Sequence, residues 1–169
     1  MPREEKWRRW AGATHDVSLG WAAGAILGGG IAAVLLFQAA PSREVAGQVG
    51  QVVFNWLGRV VFALTLVGLA GRVVLDRLAA GREKARRPGS LDLWLTASAC
   101  AAAAVLALWL TPAMEVIWRT APHDPSGGGL VGDDKSRFMR LHGAGNLLYL
   151  TLLVVTTLLV ARRSRVSQR

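Results

Sequence analysis

The chain has 169 residues, 52% of them hydrophobic, and a formal net charge of +9. The apolar residues are gathered into four long blocks, which excludes a soluble globular core, and the blocks do not alternate, which excludes a membrane barrel. The basic charge does not call for nucleic acid as a partner, because it is distributed by segment between the blocks.

The blocks cover roughly residues 17–40, 52–75, 91–110 and 141–161. A helix needs about 20 apolar residues to cross ~30 Å of hydrocarbon, and each block reaches that length. The expectation is an all-α integral membrane four-helix bundle. Its transmembrane domain spans residues 17–161, between a basic segment at 1–16 and a basic tail at 162–169. Fourteen of the 20 Lys and Arg residues fall before block one, from the last turn of block two to the start of block three, or after block four. The other six are Arg43, Arg59, Arg119, Lys135, Arg137 and Arg140. Cytoplasmic segments retain Lys and Arg, so both termini are expected in the cytoplasm of a multi-pass protein of a bacterial-type inner (plasma) membrane, with membrane lipids as partners.

Trp7 and Trp10, three apart, suggest a short interfacial helix, and His15-Asp16 reads as a polar pair at the membrane boundary, with Asp16 near a helix N-terminus. Block one is too long for the ~7–15 residues of a signal-peptide core and reads as a retained helix. It carries Gly20, Gly24 and Gly28, a ladder that admits close helix packing, within the chain or in a homo-oligomer. Pro41 ends it, because the residue before a proline disfavours helix. Ser42 can cap a new helix with Glu44 in its first turn. Val45, Val49, Val52, Val53 and Trp56 then recur at helical spacing, so residues 43–56 either lie on the outer surface as a short interfacial helix or extend helix two.

Pro88-Gly89 reads as a turn in the basic loop after block two. In block three, Trp94 and Trp109 are interfacial anchors, and the alanines at 97, 99 and 101–104 suit the bundle interior. Cys100 lies among them as a small packing residue. Thr111-Pro112 is expected to open the outer loop, with Glu115 and Arg119 paired at i,i+4 if a short helix forms there. Residues 122–129 read as flexible loop. Asp124, Asp133 and Asp134 match no calcium-loop spacing and read as solvated.

Counting about 20 residues from each cytoplasmic boundary places Gln38, Asn55 and His142 near one level, close to the outer surface. Arg59 and Asn146 fall about a turn deeper, and Glu44 and Glu115 just above. Charged groups at such depth are costly, face the interior and pair. The candidate polar site is therefore Gln38, Asn55, Arg59, Glu115, His142 and Asn146, with Glu115 the expected counter-charge to Arg59. The midplane is chiefly Ala, Leu, Val and Gly, which argues against a continuous ion path. No nucleophile and base share a depth, no phosphate loop follows a strand, and His15 and His142 lie at opposite faces, so neither an enzyme nor a cofactor is expected. The site reads as one for binding or assembly. The alternative is transport or metal handling by His142 and Glu115.

Gln38-Ala39-Ala40-Pro41, Glu44-Val45-Ala46-Gly47 with its continuation to Phe54, Thr111-Pro112, and Phe138-Met139-Arg140-Leu141-His142-Gly143 together resemble the domain-of-unknown-function family 4149 over most of residues 17–161. That family is similar to vertebrate transmembrane protein 205. The resemblance implies a small four-helix integral membrane protein and no particular activity. After His-Gly this chain has Gly145, Asn146 and Tyr149, where the family pattern has a serine and a later asparagine. Helix-borne polar residues near the outer face give a more distant resemblance to copper-resistance-D-like membrane domains.

Overall fold

The computed structural model describes residues 3–80, 90–124 and 129–166. In chain order, α1 spans Arg3–Ala39, α2 Arg43–Ala80, α3 Ser90–Val105, a π-helical turn Leu106–Leu110, α4 Thr111–Thr120 and α5 Gly132–Val166. α3, the π turn and α4 form one rod, so four helices are long and apolar enough to cross a membrane. The turn expected at Pro88-Gly89 lies outside the described residues.

The four spans run up and down in a ring, with α1 against α2 and α5, and α3 against α2 and α5. Short connections make sequential helices antiparallel neighbours. The α1–α2 interface is the most extensive. The start of α1 and the end of α5 lie at one end of the bundle, here the terminal end, opposite the far end. The third span is the innermost: 39% of its apolar window is buried, against 17–22% for the other three. Its alanines are the reason, because Ala99, Ala103 and Ala107 let α2 and α5 close around it, with Val61, Leu106, Leu110 and Leu152 completing the core. Cys100 is buried there as a packing residue.

Two boundary expectations are corrected, and one open alternative is resolved. α1 runs unbroken from Arg3, so residues 3–16 are not a separate interfacial helix and Asp16 stands well inside α1 rather than near its start. The alternative left open at residues 43–56 resolves to an extension of α2, begun by the Ser42 cap, whose Oγ accepts from the Val45 N–H at 3.2 Å. Thr111-Pro112 does not open a loop. Proline has no N–H to give the preceding turn and its ring crowds that turn's carbonyl. The helix absorbs this by widening just before it, so that the Thr111 N–H reaches the Leu106 carbonyl five residues back, and then continues to Thr120.

Of the loop expected at 122–129, residues 122–124 and 129 are described at the far end of the bundle, and residues 125–128 lie outside the described residues. His123 and Leu130 form an antiparallel bridge, and the Asp124 N–H donates to the Gly129 carbonyl at 2.8 Å. Gly129 and Gly132 take positive φ values of 89° and 64°, which L side chains rarely adopt. Asp133 and Asp134 open α5, where their charge suits the helix dipole.

Candidate functional site

α2 carries a polar stripe along its far third. Glu44, Gln48, Gln51, Asn55 and Arg59 fall at i, i+4, i+7, i+11 and i+15, one face of a helix. The apolar set Val45, Val49, Val52, Val53 and Trp56, which marked the helix in the sequence, faces outward and is exposed. The polar stripe faces α4, which presents Glu115, Trp118 and Arg119 on one side. Between them, with His123, lies a cleft of about 540 Å³. α4 meets α2 there because the span continues through Pro112, and because Trp118 packs over Gly47, where an added Cβ would sit 2.5 Å from the indole.

Asn55 Nδ2 donates to Glu115 Oε2 at 2.9 Å, and Arg119 Nη2 forms an ion pair with Glu115 Oε1 at 2.5 Å. The first bond fixes which way the Asn55 amide points, so its oxygen is left as an acceptor. That Oδ1 and the Gln51 Oε1 are buried and have no hydrogen-bond partner among the described residues. Such groups cost about 1–3 kcal/mol each while they stay unpaired. Glu115 is thus engaged by Asn55 and Arg119, and is not the counter-charge of Arg59. Arg59 is exposed, stacks over Trp56 at 6.0 Å from the ring centroid, and makes no ion pair among the described residues.

The six expected site residues do not form one layer. Asn55, Arg59 and Glu115 line the cleft. His142 and Asn146 line a second, mostly apolar cavity of about 280 Å³ with Phe54, Met114 and Tyr149. Gln38 is exposed and lines neither. Gln51 and Trp118 line both and form the partition. An aromatic series reinforces it: His123 meets Trp118 edge-on at 5.1 Å, Trp118 meets Phe138 at 5.6 Å, and Phe138 stacks on His142 at 6.1 Å. Glu115 and His142, the pair that metal handling would need together, therefore open to different cavities. Among the described residues no three His, Cys, Asp or Glu side chains are placed to share a metal ion.

A second polar cluster, at the terminal end, escaped the sequence reading. Arg72 is 7% exposed. It donates to Asp76 at 2.9 Å and lies 3.9 Å from Asp92, which is 3.6 Å from Arg162. The series Asp76–Arg72–Asp92–Arg162 joins α2, α3 and α5 with balanced charge. Beside it His15 is 2% exposed, with Nδ1 2.9 Å from the Gly68 carbonyl. The carbonyl can only accept, so Nδ1 carries the proton. His15 is a buried pin between α1 and α2, not a solvated boundary residue. The small polar residues of the interior are spent locally: Thr65, Thr96 and Thr156 are fully buried and each donates to a carbonyl of its own helix.

Comparison with curated proteins and with solved structures gave no match. A family match does exist, to "Domain of unknown function (DUF4149)", over residues 17–123. It takes in α1 from Val17, all of α2, the third span and both walls of the cleft. Of the segments that carry the sequence resemblance, the stretch from Gln38 to Phe54 and Thr111-Pro112 fall inside it, while Leu141-His142-Gly143 falls beyond. With the match spanning well over half of its length, this four-helix membrane chain belongs to the DUF4149 family.

Proposed function

We propose that the chain is a non-enzymatic multi-pass protein of a bacterial-type plasma membrane that acts by binding through the far-end cleft. The observation that carries this is the pair of buried, unpartnered oxygens on Gln51 and Asn55, two residues that with Glu115 line an open cavity of about 540 Å³. Ligand sites commonly have volumes of about 300–1,000 Å³ and a few convergent polar groups. The asymmetry of Lys and Arg supports both termini in the cytoplasm, which sets the cleft at the outer leaflet.

Assembly is the second element of the proposal. A Cβ added at Gly20, Gly24 or Gly28 would meet nothing within 4 Å, so this groove on α1 has room for the backbone of a second copy.

The binding role is tested by native mass spectrometry of protein extracted from its own membranes. The expected result is a bound small molecule on the wild type that is missing from Asn55→Leu. Equal occupancy of both proteins would remove the cleft from consideration.

A further inference from the structure

We propose that the cleft takes a primary-ammonium phosphodiester, the headgroup chemistry of an ethanolamine phospholipid. This rests on the reading of the cleft as a binding site.

The order of charges along α2 points to it. About 20 residues of helix span the hydrocarbon, so counting from Leu75 sets the far boundary near Asn55. Arg59 stands one turn on the hydrocarbon side. Glu115, held to Asn55 at 2.9 Å, stands at the boundary. In an ethanolamine phospholipid the phosphate is next to the acyl glycerol, and the ammonium projects beyond it on a two-carbon arm. A phosphate at Arg59 thus brings the ammonium to Glu115.

Donor counting selects the type of ammonium. The Gln51 and Asn55 oxygens lack donors, and a carboxylate bound once on each oxygen still has lone pairs to offer. A primary ammonium carries three N–H groups, one for each of these acceptors. A choline headgroup carries none and would leave both amide oxygens unpaired. Net charge agrees, because Glu44, Glu115, Arg59 and Arg119 balance and a zwitterion leaves the cleft neutral. The apolar flank needed by the acyl chains is present in the outward Val52, Trp56 and Val60.

The test is retention of added phospholipid by the full-length purified protein, read by native mass spectrometry with ethanolamine, choline and glycerol phospholipids of identical acyl chains. Wild type is expected to retain the ethanolamine lipid about tenfold over the choline lipid, the effect of one charge-assisted hydrogen-bond set. Glu115→Gln is expected to collapse that preference. Arg59→Gln is expected to weaken all three lipids, with recovery in Arg59→Lys. Soluble glycerophosphoethanolamine separates the sources: competition means the headgroup suffices, and its failure to compete means the acyl chains are needed, each in line with the proposal. Equal retention of ethanolamine and choline lipids by wild type, or an undiminished preference in Glu115→Gln, overturns it. If the molecule found on extraction depends on Asn55 but is not a primary-ammonium phosphodiester, the headgroup assignment falls and the binding site stands. If no bound molecule depends on Asn55, both fall.

Discussion

Arg72 and Arg119 have the same functional group and opposite surroundings. Arg72 is buried between two carboxylates, whereas the Arg119 side chain is 74% exposed. A guanidinium stays charged, so removing Arg72 takes from Asp76 and Asp92 the cation they share, with Arg162 beside Asp92 among the described residues. Arg72→Met is expected to cost ~3 kcal/mol in reversible unfolding in mixed detergent, with partial rescue by Arg72→Lys, which lacks the forked geometry. Arg119→Ala is expected to cost under ~1 kcal/mol in the same titration. The sequence puts Arg72 in the last turn of its apolar block and gives it only a topological role, whereas α2 runs on for two more turns to Ala80. An arginine there normally extends to the headgroups. Its burial depends on Asp92, which only the assembled bundle brings near.

Among the elements, α1 offers a contrast between glycines with the same spacing signal. Gly20, Gly24 and Gly28 have open space beside them, while a Cβ on Gly71 of α2 would lie 2.9 Å from the Ala11 carbonyl oxygen and 3.2 Å from the His15 nitrogen. Backbone cannot yield as a side-chain tip can. Gly71→Ala is expected to lose ~1–3 kcal/mol of stability, measured by the same detergent unfolding. Gly24→Ala is expected to be neutral for the isolated monomer, and Gly24→Leu to shift crosslinked dimer toward monomer in membranes if a second copy uses that face. Helix spacing alone cannot separate these cases, since a ladder of small residues identifies a close approach without saying which helix makes it. The third span shows a similar limit. Pro112 was legible as a helix breaker, but the widened turn at Leu106–Leu110 lets the helix continue and carry Glu115 and Trp118 over α2. In a Cys100→Ala background a short bismaleimide is expected to crosslink cysteines at 55 and 115, and Pro112→Ala to reduce the yield, because a regular turn rotates α4 relative to α3.

For the molecule as a whole, four apolar blocks and short connections were enough to give the architecture. The cleft was only half legible. Asn55, Arg59 and Glu115 were found by depth, but Gln48, Gln51 and Trp118 were not. The signal was present as the i, i+4, i+7, i+11, i+15 stripe from Glu44 to Arg59, and it was overlooked in favour of the valines between. In a soluble helix those valines would mark the inside. Here lipid takes the apolar face and the polar one turns inward. The proposed orientation carries its own expectation. Alkaline phosphatase fused after Gly129 should be active and a fusion after Arg162 inactive, and the reverse pattern would place the cleft in the cytoplasmic leaflet.

The two ends of the bundle are held by different means. At one, Asp76, Arg72, Asp92 and Arg162 rivet three helices together while His15 fastens the fourth. At the other, the rods stand around two chambers separated by a thin aromatic wall. The arrangement is that of a clothes-peg with its spring at the terminal end. Breathing of the rods is therefore expected at the jaws rather than at the spring.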